Sequence, residues 1–151
     1  MSATPVRRLF QALNAQNASR AAEQLTPSYH GIDTTRSTFT VGRAEAQAEI
    51  EAGLVAFASP TFTIHQQTAE DTQVSVFWSV EAVHEGPFLQ IPPTHRALSV
   101  SGTSLFTIRD GRIARGVHLW DLAGLLRALG LLPDLPDTTA GPPPNPAASA
   151  A

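Results

Sequence analysis

The chain reads as an α+β protein in which early helices cover one face of a curved, mostly antiparallel sheet. Three features predict this. Apolar residues recur at helical spacing in the first 58 positions, alternate with a period of two between Phe62 and Leu119, and are interrupted by an Asp110-Gly111 hairpin signal. A sheet covered in this way leaves a pocket between its inner face and the helices.

Thr4 and Pro5 give a helix-start signal, and Val6, Leu9, Phe10 and Leu13 recur at helical spacing, which predicts a first helix to about Leu25, broken by Pro27. Tyr29-His30-Gly31-Ile32-Asp33 reads as an irregular segment ahead of Phe39-Thr40-Val41-Gly42, so its polar side chains are expected on loop backbone. Ala46, Ile50, Leu54 and Phe57 form one stripe of a helix over 43–58, with Glu45, Glu49 and Glu51 on its other faces and Ser59-Pro60 as its stop. Phe62 and Ile64 then alternate with threonines. Val74, Val76, Trp78, Val80 and Ala82 form a second strand pattern, Leu98 to Ile108 a third, and Ile113, Val117 and Leu119 the return strand of the hairpin. Leu122, Leu125, Leu126 and Leu129 make a short last helix that stops at Gly130. Residues 1–133 are expected to form one domain. The Pro/Ala-rich tail over 134–151, with Pro142-Pro143-Pro144, lacks the apolar area to offset chain entropy and is expected to be disordered from about 137.

Composition narrows the function. With 151 residues, 42% of them hydrophobic, the chain can build one ordinary core. Ten Lys plus Arg against thirteen Asp plus Glu, without a basic run, offer no footprint for nucleic acid or an anionic membrane. Cysteine is absent, which excludes disulfides and thiolate chemistry and is compatible with a reducing cytoplasm. No segment reads as an export signal or is long and apolar enough to span a bilayer. A cytoplasmic protein with a hydrophobic small-molecule partner is therefore expected. The strands over 61–68 and 98–108, left uncovered, predict a homodimer, with a tetramer as the larger option.

Side-chain alternation places Trp78, Val80, Ala82 and His84 on one face and Ala114, Gly116, His118 and Trp120 on one face. The small Ala114 and Gly116 leave room for a ligand beside His118. An imidazole there can act as acid or base near neutral pH, and it is the first candidate catalytic group. Asp121 is either a second acid/base group or the N-cap of the last helix. Asp33 is a pocket carboxylate or the head of an Asx-turn with Thr35. His84 is a proton carrier or a hydrogen-bonded wall residue. Tyr29, Trp78, Phe88, Ser104 and Trp120 are the candidate substrate contacts, the aromatic ones as lining. A two-residue Asp110-Gly111 loop sets Arg109 opposite Arg112 and His118 opposite Thr103, whereas a bulged turn moves its partner to Ser104. His30, His65 and His95 lack metal-ligand spacing, and the glycines fit no phosphate or dinucleotide loop, so neither metal nor organic cofactor is expected.

Four segments carry a family resemblance over roughly residues 5–133. Val83-His84-Glu85-Gly86 resembles Thr-His-x-Gly, and Ile91-Pro92-Pro93-Thr94-His95-Arg96 resembles Ile-Pro-Pro-Thr-Gly-Arg. Phe106-Thr107-Ile108-Arg109-Asp110-Gly111-Arg112-Ile113 resembles Phe-Arg-x-x-Asp-Gly-Lys-Ile, and Trp120-Asp121 through Leu129-Gly130 resembles Trp-Asp…Gly-Leu-Leu-Arg-Gln-Leu-Gly. These are motifs of the SnoaL-like polyketide (ester) cyclases of the nuclear transport factor 2-like superfamily. The resemblance implies a cone-shaped α+β barrel, and ring closure on a polyketide without metal or organic cofactor by a pocket acid/base carboxylate. It also implies that Asp33 borders the cavity mouth. His118 stands where many relatives carry the first Asp of a His-Trp-Asp-x-x-Asp run, and Asp121 matches the second. The expected function is a cyclase of secondary metabolism in which His118, assisted by Asp33 or Asp121, moves the proton. Epoxide opening, ether-ring formation or isomerisation on the same fold is the alternative enzymatic reading, and a non-catalytic binding or dimerisation module the other.

Overall fold

Alternation after residue 57 becomes four long strands in the computed structural model, which describes residues 3–136. In chain order the elements are α1 (Thr4–Asn14), α2 (Ala18–Glu23), β1 (Leu25–Asp33), β2 (Thr38–Val41), α3 (Arg43–Ala56), β3 (Phe57–Glu70), β4 (Gln73–His84), β5 (Ala97–Arg109), β6 (Arg112–Trp120) and α4 (Leu122–Ala128). The strands make one curved sheet in the order β2-β1-β6-β5-β4-β3, antiparallel except for the β1–β6 pair. Helices lie on its inner face, so the α+β class and the cone-shaped sheet expected from the sequence are both present. The expected tail over 137–151 lies outside the described residues.

The single helix expected over 4–25 is two helices. The chain turns at Gln16, in the left-handed region at φ 56°, and Asn17 caps α2 by accepting the Arg20 N–H at 3.0 Å. The helical period of apolar residues runs through both, which hides the break. A larger correction concerns residues 25–33, expected as an irregular segment and found as strand β1. It pairs with β2 (Ile32 with Phe39) and, in parallel, with β6 (Gly31 with Gly116, Asp33 with His118). Pro27 misled because it lacks a ladder donor, but it falls where the β1–β6 register shifts, a position that does not need one. Helix α3 stops at Ala56 rather than 58, and Pro60 sits in β3 at a register shift between Ala58 and Thr61.

Both hairpin readings turn out to contribute. Asp110 and Gly111 have φ of 52° and 76°, the two positive values of a type I′ turn, and Arg109 pairs with Arg112. A bulge between Thr107 and Ile108 then shifts the ladder by one, which sets His118 opposite Ser104.

The core has two parts. Val6, Leu9 and Phe10 of α1 with Ala21 and Leu25 pack on Val74, Val76, Phe106, Ile108 and Ile113 of the sheet. At the other end, Leu125 and Leu129 of α4 close over Ala82, Leu98 and Val100. Between them Ile50 and Leu54 of α3 and the following Phe57 line open space, with Ile50 and Phe57 also packing against the edges of the two core parts. That space is the cavity.

Candidate active site

The cavity has two lobes that share Leu13, Asp33, Arg36, Phe62, Trp78 and Trp120 as walls. One lobe, of about 310 Å³, is almost wholly apolar and is lined further by Phe57, Val80, Phe88, Leu98, Val100 and Leu125. The other, also about 310 Å³, carries the polar groups Tyr29, Thr40, Glu49 and His118. Such volumes suit a small organic ligand.

His118 is half-buried near the end of β6. The bulge-shifted register brings Ser104 Oγ to 2.8 Å from its Nδ1, and Trp78 Nε1–H donates to the same Oγ at 2.9 Å. The Phe106 ring meets the imidazole edge-on at 5.7 Å. Ser104 is buried behind the ring it hydrogen-bonds and lines neither lobe. Burial pushes the His118 pKa below its ordinary value, and the nearby Asp33 charge opposes this in part.

Asp33 ends β1 beside His118 in the parallel ladder. Arg36 Nε donates to its Oδ2 at 2.7 Å, the Arg36 backbone N–H reaches Oδ1 at 3.2 Å, and Trp120 Nε1–H lies 3.0 and 3.1 Å from the two oxygens. Burial works to raise its pKa, but these hydrogen bonds and the Arg36 charge win and hold it below the usual carboxylate range. The Asx-turn reading of Asp33 places its bond at Thr35; the bond goes to Arg36 instead. Thr35 Oγ1 clamps the end of β6 by accepting the Trp120 N–H at 2.8 Å and donating to Trp120 O at 2.9 Å.

The room expected over Gly116 is filled. A Cβ on Gly116 would stand 2.5 Å from the Tyr29 hydroxyl and 3.0 Å from His118 Nε2, and one on Gly31 would stand 3.1 Å from that hydroxyl. Gly31 and Gly116 are neighbours across β1 and β6, and the Tyr29 ring lies along this bare floor with its hydroxyl beside His118 Nε2. Burial and the Glu49 charge push the Tyr29 pKa up to about 12, so the phenol keeps its proton. Glu49 in turn accepts from Thr40 Oγ1 at 2.6 Å.

Asp121 and His84 stand apart from this cluster. Asp121 caps α4 by accepting the Gly124 N–H at 2.8 Å, and it lines neither lobe. His84 is fully buried, and its Nδ1 accepts from the Thr94 backbone N–H at 3.2 Å with Thr94 Oγ1 at 3.0 Å, which ties down the loop over 85–96. Trp78, Phe88 and Trp120 do line the apolar lobe.

Arg36, Thr40 and Glu49 escaped the sequence reading. Arg36 carried the weak signal of an Asp-x-x-Arg spacing, whereas Glu49 looked like one acid among several on a solvated helix face. Among the described residues no group of three or more His, Asp or Glu is arranged to hold a metal ion. No helix among them is long and apolar enough to cross a membrane.

Comparison with known proteins agrees with this architecture. The family model for SnoaL-like polyketide cyclase matches residues 4–129, and the chain belongs to that family. No curated protein is matched by sequence. The fold is similar to AclR of Streptomyces galilaeus, a candidate hydroxylase, at 23% identity and a TM-score of 0.78 over 91% of this chain and 89% of that one. It is also similar to a candidate SnoaL-like polyketide cyclase from Jannaschia sp. CCS1, at 24% identity and 0.77 over 86% and 92%. A Catenulispora acidiphila protein with a ketosteroid isomerase-like fold, in complex with trimethylamine, aligns at 14% identity and 0.74 over 87% and 96%. At these identities the likenesses establish the fold, and family membership supports a cyclase-type role.

Proposed function

We propose that this chain is a cofactor-independent cyclase of polyketide-type secondary metabolism, acting in the cytoplasm, with His118 as its acid/base group. The observation that carries the reading is a half-buried imidazole, held by Ser104 from behind, that lines the polar lobe next to an apolar one and has no carboxylate within hydrogen-bonding reach. Ser104 Oγ has two lone pairs, so it can accept from Trp78 Nε1–H and from His118 Nδ1–H together. In that tautomer the Nε2 lone pair is the base. It takes a proton from a carbon between two carbonyls, and the C–H electron pair passes to a carbonyl oxygen as an enolate. The enolate carbon attacks a second carbonyl carbon in the same chain, the C–C bond forms, and the new alkoxide takes the proton back from Nε2. Asp33, anionic through Arg36 and Trp120, stabilises the imidazolium between these steps without carrying the proton itself. The apolar walls hold the chain folded for reaction.

The reading is tested by incubating the protein with a linear poly-β-ketone thioester in ¹⁸O-labelled water. A cyclised product of equal mass, or lighter by one water, is expected. Incorporation of labelled oxygen from the water into the diol formed from an epoxide analogue, with no ring closure on the ketone, would favour the hydrolytic alternative. Binding without turnover of either would favour a binding module.

The same proposal includes a homodimer. Phe77, Leu105 and Leu119 stand exposed on the outer face of β4, β5 and β6, and an apolar row of this kind favours a covering partner. Light scattering at micromolar concentration is expected to give twice the chain mass, and a monomer would remove this part.

A further inference from the structure

Tyr29 is a buried residue that lines the polar lobe, and among the described residues its hydroxyl makes no hydrogen bond to the protein, although it is not among the polar atoms sealed from solvent. A hydroxyl that opens on a cavity with no protein partner keeps its donor free for a ligand oxygen. Its position is enforced from below by the paired Gly31 and Gly116, because any side chain at Gly116 would collide with the hydroxyl. The hydroxyl therefore ends beside His118 Nε2, in the polar lobe.

We infer that Tyr29 Oη and His118 Nε2 form a two-point cradle for one oxygen atom, and that the cavity takes flat, conjugated enols and phenols. This deepens the cyclase reading and rests on it for the identity of the natural ligand, but not for the binding itself. Tyr29 donates to the oxygen. His118 Nε2 either accepts the ligand's O–H or donates to its oxygen, according to which ring nitrogen carries the proton, so the cradle works in both tautomers. The ligand's body extends between Phe62, Trp78 and Trp120 into the apolar lobe. During enolate formation the same donor meets the oxygen on which charge develops. With its pKa raised to about 12, Tyr29 stays a donor throughout the range in which His118 is neutral.

The test compares 2-naphthol with naphthalene, which has the same flat body and no oxygen, by quenching of Trp78 and Trp120 fluorescence. The folded full-length protein is expected to prefer 2-naphthol, and Tyr29→Phe, which removes one atom and keeps the ring, is expected to cut that preference about tenfold. A residue that only packs would change both affinities together, so an unchanged ratio in Tyr29→Phe overturns the inference. Should that ratio stay unchanged while His118 still supports ring closure, the cradle fails and the cyclase reading stands. Should the ratio fall while no ketone substrate is cyclised, the cradle stands and the cyclase reading fails.

Discussion

Replacing His118 by Ala is expected to slow ring closure about 10²–10⁴-fold, the usual contribution of a positioned acid/base group. The loss is chemical rather than structural, because the imidazole is half-buried at the cavity wall and the apolar lobe survives without it. A folded His118→Ala protein that turns over at the wild-type rate would remove His118 from the mechanism. The pH profile gives a second readout. Burial lowers the His118 pKa from 6.5, with Asp33 opposing, so kcat/KM is expected to rise with pH through a midpoint below 6.5 and then level off. Asp33→Asn takes away the opposing charge and is expected to move that midpoint further toward acid. Both groups also couple folding to pH in the same direction. His118 and Asp33 each have a folded pKa below the unfolded value, so the unfolded chain binds their protons first. The His118 contribution to stability is complete above about pH 6.5 and is lost as pH falls through that value to the folded pKa. The Asp33 contribution is complete above its ordinary value of 3.8 and is lost as pH falls below it.

The largest stability effect is expected at Phe106. Its side chain is 2% exposed and joins the Phe10 ring of α1, at 6.5 Å, to the His118 ring of β6, at 5.7 Å. Truncation to Ala removes a ring from a site walled by sheet on one side and helix on the other, which cannot close over the void. A loss of about 3–5 kcal/mol is expected, read as a lower urea midpoint with an unchanged m-value. A loss under about 1 kcal/mol would mean that α1 does not pack on this face of the sheet. The substitution also removes the wall that keeps the imidazole against Ser104, so turnover in the folded fraction is expected to fall as well.

The strands β3 to β6 and the last helix were legible because each carries its own signal: alternation, an Asp-Gly turn, a Leu stripe ending at Gly130. Strand β1 was not, because its partner is distant. The bond between Thr35 and Trp120 spans 85 positions, and no local period announces a parallel pairing of that range. The segment also carries a proline where a register shift tolerates it. His118 and Asp33 could be named from residue type and from the family motifs, and Asp121 could be read as a cap from its place before Leu122. Ser104 was one of two open partners, and the bulge before the hairpin turn decided between them.

Residue order alone, through periodicity and turn chemistry, sufficed for the α+β class and the hairpin, because these depend on which face each side chain takes within its own element, while the family was read from four motif resemblances. The arrangement of the polar lobe depended on β1 reaching β6. That pairing lays Tyr29 across Gly31 and Gly116, sets Asp33 beside His118 and leaves Glu49 of α3, itself exposed, among the groups that line the polar lobe. These are contacts between elements far apart in the chain, each chosen by the packing of the whole and by no local pattern.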